Sequence, residues 1–154
     1  MLRPGAFQIP PAPLALTLAG LLPFFGGAGA VVWLGDDIAR QAAAGLILIA
    51  YAAVILSFLG GVRWGVEMAS RAPRPRWSVL TGSVLGALAG WGLVLQPVLG
   101  GGAGTPFLPM AALLTVHWAW DLSARCTLPP WYDGLRTVAT AGAVSALCVA
   151  ATSF

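Results

Sequence analysis

Apolar residues in this chain fall into five long runs, parted by short stretches where proline, glycine, aspartate and arginine collect. The runs span about residues 13–34, 41–62, 77–99, 106–125 and 134–153. Each holds about 20 residues, enough as a helix to cross a hydrocarbon core of roughly 30 Å. Pro23 lies inside the first run and predicts a kink, loosened further by Gly26, Gly27 and Gly29. Asp36, Asp37 and Arg40 form a polar turn, and the second helix should continue beyond the membrane through Glu67 to Ser70. Pro73 and Pro75, interleaved with Arg71, Arg74 and Arg76, then stop it. Residues 100–105 read as a flexible uncharged loop, and Leu128–Asp133 as a rigid turn bearing an aromatic anchor. The expected fold is all-α: one integral membrane domain over residues 1–154, a five-transmembrane-helix bundle.

Composition makes a soluble reading untenable. Of the residues, 58% are hydrophobic and 8% charged, against roughly 25% charged in a soluble domain. Lysine is absent, so the net charge of +3 comes entirely from arginine. Arginines at helix ends read as a topology signal and not as a nucleic-acid surface. With five spans and a cytoplasmic N-terminus, Arg3, Arg63, Arg71, Arg74, Arg76, Arg125 and Arg136 are cytoplasmic and only Arg40 is outside. That asymmetry predicts an N-in, C-out orientation. Arg3 and the apolar run from Leu14 resemble a signal peptide superficially. Pro10, Pro11 and Pro13 before the run, and its continuation to Leu34, instead predict an uncleaved first span. Cys126 and Cys148 imply neither a disulfide framework nor a metal site.

The candidate chemistry sits in two places. The stretch Tyr51–Met68 begins as an apolar helix and ends in Arg63, Trp64 and Glu67, with Arg63 and Glu67 four apart on one face. The fourth run contains His117, Trp118, Trp120, Asp121 and Arg125, with His117, Asp121 and Arg125 in one stripe. Both runs point the same way, so both patterns reach the cytoplasmic side. Ionisable groups within a membrane face partners or water, which predicts the cross-helix pairs Arg63–Asp121 and Glu67–Arg125. His117, deepest at roughly 10 Å from the interface, could relay protons with Asp121, or simply cap a structural ion-pair cluster. Gly82, Gly86 and Gly90 recur every four residues and read as a helix-packing seam before they read as a pore. A single His makes neither a multi-His metal site nor a bis-His haem site. Ser57 lacks a nucleophile-elbow setting, and no cofactor is implied.

The run Tyr51, Ile55 to Gly61 and Arg63-Trp64-Gly65 resembles the signature of a family of bacterial membrane proteins whose mitochondrial relatives are called transmembrane protein 69. Leu128 to Tyr132 with Leu135-Arg136 resembles that family's second motif, and Leu21 to Phe24 and Asp121 also fit. The resemblance implies a small multi-span protein of the bacterial inner membrane. It brings no activity, so no residue inherits a catalytic role, and His117 lies outside its motifs.

The expected function is therefore non-enzymatic. A helix bundle surrounded by membrane lipids would bind a partner protein, a further copy of itself, a lipid or another hydrophobic ligand through Arg63, Glu67, Asp121 and Arg125. Trp64, Trp118 and Trp120 would surround that cluster. The rival is a small proton-coupled transporter or channel built on His117 and Asp121. An intramembrane enzyme would require His117, Asp121 and Glu67 to converge.

Overall fold

The computed structural model describes residues 9–123 and 128–154, all of whose regular structure is helical. Five helices follow in order: α1 (Pro11–Trp33), α2 (Ile38–Arg71), α3 (Trp77–Val98), α4 (Phe107–Leu122) and α5 (Pro130–Ala151). Four of them, all but α4, are long and apolar enough to cross a membrane. At about 1.5 Å per residue, the 34 residues of α2 reach about 51 Å, well beyond a hydrocarbon core of about 30 Å. The 16 described residues of α4 reach about 24 Å.

Local chemistry sets the ends. Asp37 caps α2 by accepting the Arg40 backbone N–H at 3.1 Å, supplying one of the carbonyl-like acceptors that a helix start lacks. At the far end of α3, Gly100 takes the left-handed conformation (φ 97°) that ends a helix without a Cβ clash. α1 remains one helix through Pro23. One expectation is corrected: α5 begins at Pro130, so most of the supposed rigid turn is helical. Pro130 is preset for a first helical position, where its missing N–H has no partner to lose, and Asp133 sits favourably in the first turn.

Neighbours along the chain run up and down. α2 packs against α3, α1 and α4, while α5 packs against α1 and α4. The core is apolar, with Phe24, Ile49, Leu56, Phe107, Met110 and Leu147 almost wholly enclosed. Large apolar side chains also cover the outside: Leu16, Phe25, Ile47, Phe58 and Trp91 are all at least half exposed. A chain that is apolar inside and out belongs in lipid, since water would meet a continuous apolar surface.

The glycine seam of α3 is a packing device. A Cβ at Gly82 would press on the Trp120 ring of α4, and one at Gly90 would press on Leu56 of α2. The closest backbone approach comes instead from α2, where Gly60 lies against the Ser83 carbonyl. At the opposite end of the bundle from the polar cluster, Gln41 joins three helices. Its side-chain N–H₂ donates to the Val31 carbonyl at 3.3 Å and the Ser153 carbonyl at 2.9 Å. Gln41→Leu should destabilise the folded protein by about 1–2 kcal/mol, as two hydrogen bonds to backbone carbonyls are lost; unfolding in detergent by increasing denaturant measures it.

Candidate functional site

Asp121 is the centre of the polar cluster and is only 2% exposed. It lies in the last turn of α4, where that helix passes between α2 and α5. Its Oδ2 accepts from Arg136 Nε of α5 at 2.7 Å, and the same guanidinium donates through Nη1 to Thr140 at 3.1 Å. Across the other side, Arg63 Nε of α2 stands 3.8 Å from Asp121 Oδ1. That is an ion pair, although too long for a hydrogen bond. One turn earlier on α4, His117 Nδ1 lies 3.5 Å from Asp121 Oδ2. The Trp120 ring closes the group: the Arg63 guanidinium sits 4.4 Å above it and His117 meets it edge-on. A desolvated cation over an indole face gains about 2 kcal/mol.

The predicted Arg63–Asp121 pair is therefore present. The predicted partner of Glu67, Arg125, lies outside the described residues. Glu67 is bound instead by Arg76, whose backbone N–H donates at 2.7 Å and whose guanidinium grips both carboxylate oxygens, at 2.7 to 3.2 Å. Arg71 adds a weaker pair at 3.9 Å. Salt-bridge formation with Glu67 also raises the pKa of Arg76, which lies in the α2–α3 connection. Glu67 thus straps that connection to α2 and stands apart from the Asp121 group. Trp64 is exposed on the outer side of α2, and Trp118 donates to Thr137 on the α4–α5 seam; neither touches Asp121.

Arg136, the strongest partner of Asp121, was read from the sequence as a topology charge and as part of the second motif, and not as a member of the cluster. Its signal was a stripe on α5, Tyr132, Arg136 and Thr140, legible once that helix is started at Pro130.

The cluster is buried but incompletely paired. Arg63 Nε, both His117 ring nitrogens, Asp121 Oδ1 and Arg136 Nη2 are enclosed without a hydrogen-bond partner among the described residues. An unpaired buried polar atom costs about 1–3 kcal/mol, and buried ionic groups cost more, so these five atoms are an energetic burden on the fold. Two cavities adjoin them. One, of about 390 Å³, opens between α1, α2 and α5 and has Arg136 in its wall. The other, of about 350 Å³, lies between α2, α3 and α4 and has His117 and Trp120 in its wall. Both have almost wholly apolar linings.

A family model for a protein of unknown function, DUF3429, matches residues 9–152. The chain belongs to this family. It is also 36% identical over 140 residues to transmembrane protein 69 of Xenopus tropicalis, an alignment covering 90% of this chain and 53% of the relative. The chain thus spans about half the length of the curated relative it matches. No solved structure matches it. The resemblance carried by the Tyr51–Gly65 and Leu128–Arg136 motifs therefore holds across the chain, and each motif contributes an arginine to the cluster, Arg63 and Arg136.

Proposed function

We propose that this integral membrane protein crosses the bacterial inner membrane five times, N-in and C-out, and binds a hydrophobic ligand at the Asp121 cluster. The observation that carries the reading is that two residues with buried, unpartnered polar atoms, Arg136 and His117, stand in the walls of apolar cavities of about 390 and 350 Å³. Ligand sites have this character, with a mostly apolar wall and a few polar groups that fix orientation. The reading is non-enzymatic: two guanidiniums neutralise the one carboxylate of the cluster, which suits holding an acceptor and suppresses action as a general base.

α4 supports five crossings despite its length. Phe107 approaches Gly45 at one end of α2 and Asp121 meets Arg63 near the other, so α4 passes through the same depth as its neighbour. Arg71, Arg74 and Arg76 gather at the cluster's end of the bundle, which supports placing that end at the cytoplasmic face. Cysteines introduced by Thr105→Cys and Leu128→Cys, which flank α4, should then label from opposite sides in whole cells, Thr105→Cys from outside; labelling from one side alone would defeat the five-span arrangement.

The proton relay has less support. Among the described residues, the wall of the His117 cavity offers no titratable group other than His117 itself, so a proton leaving His117 on that side has no onward partner there. Extraction of the native protein into lipid nanodiscs, exchange into fresh detergent and mass spectrometry of what remains bound will test the binding reading. A hydrophobic molecule should be retained in fixed proportion to protein, and a stripped monomer would overturn it.

A further inference from the structure

The cavity between α1, α2 and α5 is elongated along the helices. Along α5 its wall runs from Trp131 to Ala143 and along α1 from Pro13 to Phe24, distances of about 18 Å and 16 Å at the helical rise. Its mouth includes the exposed side chains Leu16 and Phe58, both on the outer surface that faces lipid. The space is therefore long enough for an extended alkyl chain entering from the bilayer, and its volume of about 390 Å³ leaves little room for a second one.

Arg136 interrupts the otherwise greasy wall. Its side chain is 6% exposed, and two of its three nitrogens are engaged, Nε by Asp121 and Nη1 by Thr140. Nη2 is buried without a partner. The charge around it is also unbalanced. Among the described residues, Asp121 faces two arginines, Arg63 and Arg136, and His117 adds either nothing or a further positive charge. The buried excess is therefore positive, and such an excess is unfavourable unless an anion completes it.

We propose that this cavity binds a single-chain fatty carboxylate, its alkyl chain between α1 and α2 and its carboxylate paired with the Arg136 guanidinium, which turns Nη2 from its enclosed position toward the cavity. The proposal rests on the ligand-binding reading above and narrows it to one chemical class. The guanidinium fits a planar carboxylate through a charge-assisted hydrogen bond, and the adjoining positive excess selects an anion over an alcohol or ester of the same length.

The test uses the full chain in detergent micelles with a photoactivatable sixteen-carbon fatty acid. Capture should map to peptides from α1, α2 and α5. Palmitate should compete, while hexadecanol and diacyl phosphatidylglycerol should compete about tenfold less well or worse, the discrimination expected when a charged hydrogen bond is lost. Ala139→Leu, which fills the cavity without touching the charged cluster, should reduce capture by about the same factor. Arg136→Gln should abolish the preference for palmitate over hexadecanol wherever that variant elutes as a folded monomer. Equal competition by hexadecanol would overturn the carboxylate assignment while leaving hydrophobic-ligand binding intact. Effective competition by the diacyl lipid, or capture that ignores Ala139→Leu, would overturn the cavity assignment. Retention of a different molecule by the nanodisc-extracted protein would separate failure of this proposal from failure of the broader reading.

Discussion

Asp121→Asn should destabilise the folded protein by about 3–5 kcal/mol, the cost of breaking a buried ion pair by removing one partner. The substitution preserves shape and deletes one charge. Arg136 Nε, held at 2.7 Å, and Arg63 Nε, at 3.8 Å, would then be two buried cations with no anion between them. Asparagine also presents an N–H₂ that could face a guanidinium donor, which worsens the fit. An exposed pair supplies the control: Arg40 and Asp37 stand 3.3 Å apart at the surface, and Asp37→Asn should cost about 0–1 kcal/mol through that pair. Denaturant titration in micelles, read by tryptophan fluorescence and monomer elution, measures both. Comparable stability for Asp121→Asn and the native chain would mean that the cluster contributes no structural coupling between α2, α4 and α5. A third variant separates structure from binding. Replacing Asp121, Arg63 and Arg136 together by Leu, Met and Met should recover much of the stability, since apolar groups of similar volume often substitute for a buried ionic group at no net cost. It should still lose retained ligand, because nothing polar remains to orient one.

How much of this could be read from the chain follows from which interactions are local. Helix ends were legible where proline or glycine punctuates an apolar run, as between Arg71 and Trp77 or around Gly100, because backbone chemistry acts there over a few residues. The start of α5 was misplaced because Pro129-Pro130-Trp131 reads equally as a turn and as a helix entry, since proline suits a turn and a first helical position alike. The Arg63–Asp121 pair was legible because two helices running in one direction carried opposite charges near the same depth. Arg136 was not, since an arginine at a helix start serves topology as well as it serves a buried carboxylate, and pattern alone does not rank the two. Glu67 shows the same limit: Arg76 lies nine residues on, beyond any helical spacing rule, and reaches it only because the proline-rich connection folds back.

Gly60→Ala should destabilise the protein by about 1–3 kcal/mol, whereas Gly61→Ala should be neutral or stabilise it by up to about 1 kcal/mol. The two glycines are adjacent in sequence, equally small and inside the same helix. Gly60 faces α3, where a Cβ would lie 2.5 Å from the Ser83 carbonyl oxygen and 3.6 Å from its Cα. That neighbour is backbone, and the Ser83 hydroxyl is itself bound to the Val79 carbonyl at 2.8 Å, so relief requires sliding the whole helix. Sliding α3 would also disturb the seats of Trp120 at Gly82 and Leu56 at Gly90, which spreads the cost across three helices. Gly61 has nothing within 4 Å of its added Cβ, so alanine there brings only its better helix propensity. A paired denaturation series in micelles should separate the two variants by at least about 1 kcal/mol. Equal behaviour would show that the α2–α3 contact yields easily to a methyl group, and that the glycine at position 60 is not what sets the distance between these helices.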